Sequence, residues 1–184
     1  MRFSFNIKLT DEDYYLFNEF AARKSPIGKK SALISKMLVA VIFLLGAVSI
    51  FIIGGINPAS VVASVFFVIL YAIFLLTFNK SNSKLVKHQA KLLLKKEKKP
   101  YTPDSVLEFY DDFFKEICPD NKSEISYTAI DKIYVVMNHY VFIFIDSMRG
   151  YIVPFDCFKD EAEEKEFLVF LSSLSENVEF FEKI

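Results

Sequence analysis

The chain holds 184 residues, 53% of them hydrophobic and 24% charged, with a formal net charge of -1. That balance excludes a disordered or highly basic protein and allows one or two small domains. The two cysteines, Cys118 and Cys157, have no CxxC or CxxH spacing that would suggest a metal site. Glycines scattered at 28, 46, 54, 55 and 150 form no phosphate-cradling loop, so no cofactor is expected.

Residues 3–9 alternate Phe3, Phe5, Ile7 and Leu9 with Ser4, Asn6 and Lys8, the period of a half-buried strand. Thr10 stands as a helix cap before Asp11, Glu12 and Asp13, acids suited to the positive end of a helix dipole. Tyr14, Phe17, Phe20 and Ala21 follow at helical spacing, and Pro26 with Gly28 is expected to stop that helix. A lone strand leaves its edge and apolar face unpaired. Residues 1–29 are therefore expected to pack, on the cytosolic side, against a sheet supplied by the C-terminal part of the chain.

Residues 37–56 and 58–78 are two uncharged, mostly apolar runs without a polar stripe. At about 1.5 Å per helical residue each reaches roughly the 30 Å of a bilayer's hydrocarbon core, so both read as transmembrane helices. Only Gly54, Gly55, Ile56, Asn57 and Pro58 connect them, which predicts an antiparallel hairpin. The first run begins too far into the chain for a cleaved signal peptide and is expected to be retained. Arg23, Lys24, Lys29, Lys30 and Lys36 precede the hairpin, and lysines follow it. The positive-inside rule then predicts a multi-pass protein of the cell membrane with both termini cytoplasmic. In that compartment the cysteines are expected to be reduced, small, buried or half-buried residues.

Residues 79–99 carry eight lysines, Lys80, Lys84, Lys87, Lys91, Lys95, Lys96, Lys98 and Lys99, against Glu97 alone. Several recur at helical spacing with Leu85, Leu92 and Leu93 between them, so the segment is expected to be a basic helical stalk that extends or follows the second apolar run. Beside an anionic bilayer such lysines gain about 1 kcal/mol each within a screening length of about 8–10 Å. All eight are candidate anionic-lipid contacts, although topology alone also explains them.

Residues 101–184 are acidic, with eighteen acids against seven bases. Short β-rich runs at 106–110, 113–118, 123–127, 132–137, 140–146 and 151–154 predict an antiparallel meander. The bends fall at Asp111-Asp112, Pro119-Asp120-Asn121, Asn138-His139 and Met148-Arg149-Gly150. Asp160 caps a last helix with an acidic first turn and with Phe167, Phe170, Leu171 and Leu174 on one face. The expected architecture is a transmembrane hairpin plus an α+β roll, its sheet joined by the N-terminal strand and closed by the last helix.

No pattern for chemistry rises above this framework. The apolar runs lack Asp, Glu, Lys, Arg and His, which disfavours an ion or proton path. Ala59/Ala63 and Ser60/Ser64 have small-xxx-small spacing, read first as packing within the hairpin and second as a homodimer contact. His88 and His139 lack ligand partners at i+3 or i+4 and read as solvated, and no metal ligands are assigned. Asp111-Asp112 reads as turn chemistry, and Asp160, Glu161, Glu163, Glu164 and Glu166 as a solvated helical face.

The order of a short strand, "TDEDYY", two spans with a minimal turn, a basic linker, then "VLEFYDDFF", "SEISYTAIDKIY", "YVFIFI" and "YIVPFDCF" before an acidic amphipathic helix resembles the YcxB-like family of bacterial membrane proteins. The resemblance covers nearly the whole chain, with Tyr127 where the family pattern often has tryptophan. It implies a cytosolic domain similar to pleckstrin-homology-like modules, and it carries over no functional residues. The function expected is a non-enzymatic, membrane-anchored adaptor or regulator presenting that domain to a protein or lipid-headgroup partner. The alternative is a small integral-membrane enzyme acting on lipid or peptide, with His88, His139 and Cys157 as its best candidates. Nucleic acid is disfavoured by the acidic head.

Overall fold

The computed structural model describes residues 1–95, 99–136, 139–145, 149–174 and 178–181. In chain order the elements are β1 (Phe3–Lys8), α1 (Asp11–Lys24), α2 (Pro26–Gly54), α3 (Pro58–Leu94), β2 (Asp104–Phe109), β3 (Phe113–Ile117), β4 (Lys122–Ser126), β5 (Ile130–Val136), β6 (Tyr140–Ile145), β7 (Arg149–Pro154), α4 (Glu161–Leu174) and β8 (Val178–Phe181). They form two compact units. One comprises Met1–Phe20 with Ala90–Ile184, and the other Ala21–Gln89.

In the first unit β1 has the expected alternation, with Phe3, Phe5 and Ile7 buried and Ser4, Asn6 and Lys8 exposed. It pairs antiparallel with β2, from Phe3 opposite Phe109 to Lys8 opposite Asp104, so the N-terminal strand does join the sheet. The two long helices are thus an insertion between neighbouring strands. The antiparallel pairs β2 with β3 and β3 with β4 complete a four-stranded sheet in the order β1-β2-β3-β4.

The remaining strands do not continue that meander. A short turn at Tyr127–Ala129, entered by the Ser126 side chain accepting from the Thr128 amide, redirects the chain into a second sheet of order β7-β6-β5-β8. The sequence pattern does not reveal β8. It has four residues, too few to display an alternation, and it reaches the parallel edge of β5 (Ile133 opposite Val178) by a crossover that includes α4. Arg149 and Gly150, expected in a bend, open β7 instead and pair with Ile145 and Phe144. The expected bend residues Asn138 and Met148 lie outside the described residues.

Between the sheets and α4 lies an aromatic core. Phe167 meets Phe5 edge-on at 4.8 Å, Phe109 at 4.9 Å and Phe3 at 5.3 Å between ring centroids. Such offset and edge contacts add about 0.5–1.5 kcal/mol each beyond the area they bury. Helix α4 starts where expected, Asp160 Oδ1 accepting from the amides of Ala162 and Glu163 at 3.0 and 2.9 Å. Tyr127 packs edge-on to Phe170 and donates its hydroxyl to the Tyr110 carbonyl at 2.8 Å.

The second sheet is buried on both faces. Ile133, Val135, Val141, Ile143 and Val153 face the core shared with α4. On the opposite face, Phe17 of α1 packs on Phe142 and Phe144 at 5.4 and 5.1 Å, and Phe20 on Tyr134 and Phe142 at 4.9 and 5.2 Å. This explains why "YVFIFI" is apolar throughout rather than alternating. The start of α1 is fixed by reciprocal bonds, the Thr10 amide and hydroxyl donating to Asp13 Oδ2 at 2.7 Å and the Asp13 amide to Thr10 Oγ1 at 3.3 Å. Tyr140 completes this buried carboxylate's shell by donating to Oδ1 at 2.7 Å.

The first helix ends before Pro26 as expected, and Pro26 also opens the next helix. Helix α1 stops at Lys24, Ser25 caps a new helix by accepting from the Gly28 amide, and Pro26 occupies its first turn, where a missing amide hydrogen costs nothing. A Cβ on Gly28 would sit 2.3 Å from the Ala21 carbonyl oxygen, so the close approach of these two turns requires glycine.

Helices α2 and α3 run antiparallel, because partners ascend on one as they descend on the other. The Tyr71 hydroxyl reaches the Lys36 carbonyl, Phe67 stacks edge-on to Phe43 at 6.0 Å, and the Ser64 hydroxyl reaches the Ala47 carbonyl. Gly46 receives the Phe67 ring, and Ser60 is buried, as small residues inside a helical pair allow. Gly55 turns the chain at φ 70°, ψ -179°, a conformation available essentially to glycine alone. Asn57 then caps α3 by accepting from the Ser60 amide at 3.0 Å. Helix α3 runs unbroken to Leu94, so most of the basic segment extends the second apolar run as the same helix.

The apolar side chains of this pair point outward. No residue of α2 is buried, and Ile53, Leu76 and Ile52 are 86%, 85% and 78% exposed. Both helices are long and apolar enough to cross a membrane, and the most apolar stretch of each holds no buried residue.

Candidate functional site

The first unit contains a cleft of about 380 Å³ between α1, the first sheet and β7. Its walls include Tyr14 and Phe17 from α1, Tyr101 from the segment before β2, and Tyr151 from β7. Gly150 opens the wall, since a Cβ there would come within 2.5 Å of the Phe17 ring.

Glu116 supplies the charge inside. Strand alternation gives it the same face of β3 as Phe114, which is fully buried, and it stands opposite Leu107, which is 1% exposed. The carboxylate thus occupies a register position the core would fill with a hydrophobe. Burial raises its pKa, opposed by a contact from the Cys118 thiol. No ion pair reaches Glu116 among the described residues. Burial likewise pushes the Tyr151 hydroxyl up to about 12, with the charge of Glu116 adding to the shift.

Arg149 is exposed and also lines the cleft. At the α1 side, Tyr101 donates its hydroxyl to Asp11 at 2.6 Å while its ring stacks on Tyr14 at 5.3 Å. The hydroxyl contact, with one from Lys99, holds the Asp11 carboxyl below the usual carboxylate range. The arrangement offers aromatic faces, one interior carboxylate and one guanidinium.

The lysines expected at a lipid surface divide. Lys80, Lys84, Lys87 and Lys91 are exposed on α3, spaced four, three and four residues apart and therefore on one face; Lys95 is exposed just past its end. Lys99 donates to Asp11 at 3.0 Å and to the Tyr101 hydroxyl at 3.2 Å, which ties it to the N-terminal helix of the sheet unit. Lys96 and Lys98 lie outside the described residues.

The other candidates are not brought together. His88 is exposed on α3 and His139 is exposed before β6. Cys157 is half-buried, and burial pushes its thiol up to about 12, the wrong direction for a nucleophile. Among the described residues no group of three His, Cys, Asp or Glu is placed to hold a metal ion. Sequence reasoning missed the cleft, because its members come from four separated stretches. One signal was present in "FFKEI", where Glu116 follows Phe114 at the inward phase of the strand.

Residues 109–171 match the family model described as YcxB-like protein. The matched segment runs from the last residue of β2 to Leu171 within α4, so the resemblance rests on the sheet unit and on no residue of the two long helices. No curated protein and no solved structure matches the chain.

Proposed function

We propose that the chain is a membrane-anchored, non-enzymatic adaptor or regulator, in which the α2–α3 hairpin lies in lipid and the sheet unit faces the cytoplasm to engage a protein or lipid-headgroup partner. The observation that carries this reading is the outward-facing apolar surface of both helices. A long core helix of a water-soluble domain buries its hydrophobes, and these do not. The pairing of β1 with β2 adds a constraint. The two strands flank the hairpin in sequence, so the chain must leave and re-enter on the same side of any bilayer it crosses. Flanking lysines favour the cytoplasmic side.

A sheet of four strands, then three more antiparallel strands and a closing C-terminal helix, is the order expected of a pleckstrin-homology-like roll, with β8 an addition at one edge. Lys80, Lys84, Lys87 and Lys91 form the stripe that would meet anionic headgroups. The enzyme alternative draws no support from His88, His139 or Cys157.

Extraction of native membranes with carbonate at pH 11, followed by protease treatment of sealed inverted vesicles, tests the reading. The expected result is a chain retained in the pellet whose sheet unit is digested only when the cytoplasmic face is outward. Release into the supernatant, or protection in inverted vesicles, overturns it. Co-purification in mild detergent with a recurrent partner supports the adaptor role. Turnover of lipid or peptide by the purified chain would replace that role with the enzyme.

A further inference from the structure

We propose that the cleft between α1, the first sheet and β7 binds an organic ammonium group, its charge against Glu116 and its methylenes against the rings of Tyr14, Phe17, Tyr101 and Tyr151. Three features converge on this chemistry. The partly buried carboxylate faces inward opposite Leu107 and has the Cys118 thiol as a contact but no ion pair among the described residues, which leaves room for a cationic partner. Aromatic rings from three separate elements line the same space, and ring faces attract cations most strongly when water is excluded. The cleft's volume of about 380 Å³ falls within the range of small-molecule sites. Arg149 also lines the cleft, so a ligand whose ammonium is followed by an anionic group would place opposite charges near both side chains. Phosphoethanolamine is the simplest probe of this kind, and the same chemistry is carried by a phosphatidylethanolamine headgroup.

Near neutral pH the groups around Glu116 do not compete with it for protons. Cys118 and Tyr151 are both pushed upward by burial, and Tyr101 likewise. Binding should therefore strengthen as pH rises through the raised range of Glu116 and stay level above it.

The test uses the full chain in maltoside micelles, titrated calorimetrically with phosphoethanolamine, and the full chain in nanodiscs with and without phosphatidylethanolamine. Saturable binding in micelles assigns a soluble ligand, and binding only in the matching nanodiscs assigns the lipid headgroup; either supports the proposal. Glu116→Gln should weaken the affinity about tenfold or more, and Glu116→Asp should restore part of it. Glu124→Gln, which alters an exposed acid on β4 paired with Lys115, should leave it unchanged. No binding of either probe, or binding indifferent to Glu116→Gln, overturns the assignment.

Discussion

The two units of this chain use the same residue types in opposite ways. In the sheet unit Phe109, Phe114, Phe142 and Phe167 are fully buried, whereas in the helical pair Ile53 and Leu76 are among the most exposed residues of the molecule. One unit hides hydrophobes from its surroundings and the other displays them. The exposed apolar surface of the pair is what the proposed lipid setting would cover, whereas the sheet unit covers its own.

The largest expected effect lies in the sheet unit. Phe167→Ala removes a ring that touches Phe3, Phe5, Phe109 and Phe158, and should cost about 3–5 kcal/mol. Val169→Ala, two residues along the same helix but 71% exposed, should change stability by less than about 0.5 kcal/mol. Thermal melting of the two variants measures the contrast, and equal losses would mean that α4 packs by its other face.

The helical pair should respond in the reverse sense. Leu45 is 62% exposed, so in water Leu45→Arg would be harmless or would improve solubility. In a bilayer it stands near the middle of the first apolar run, where arginine costs about 2.5–3.5 kcal/mol of insertion. The fraction of chain retained after carbonate extraction decides between them. Undiminished retention would break the comparison.

Smaller effects sharpen it. Thr10→Ala removes the cap that the Asp13 amide and carboxylate share and should cost about 1 kcal/mol, read as a lower melting temperature of the sheet unit. Glu116→Gln should act with the opposite sign. Burial raises the folded-state pKa of Glu116 above its unfolded value, so the native state holds its proton to higher pH. Stability from this group is full below the unfolded pKa and is lost as pH rises through the folded one. At pH 7–8 the amide should therefore stabilise by less than about 1 kcal/mol, since the carboxyl is only partly buried and solvent screens it. The same substitution should flatten the dependence of melting temperature on pH between the ordinary carboxylate range and neutrality.

Much of the fold was legible in single stretches. The alternation of Phe3, Phe5 and Ile7, the cap at Asp160 and the apolar periodicity of α4 are local signals, and each reappears with the expected face buried. Pro26 was legible as the stop of α1, but not as the start of α2, because proline both ends and begins helices and only the Ser25 cap marks the second role. The break of the meander into two sheets was hidden because a three-residue turn at Tyr127–Ala129 carries no distinctive composition.

By itself the sequence determined the two long apolar helices, their tight glycine turn and the inward phase of β1 and α4. These follow from periodicity and composition within about twenty residues, where backbone geometry dictates which side chains share a face. Only the tertiary structure decided that β1 pairs across the inserted helices with β2, that α1 covers the outer face of the second sheet, and that Glu116 shares a cleft with Tyr14, Tyr101 and Tyr151. Those relations join residues far apart in the chain. Their partners are set by which apolar faces remain uncovered once every local element has formed.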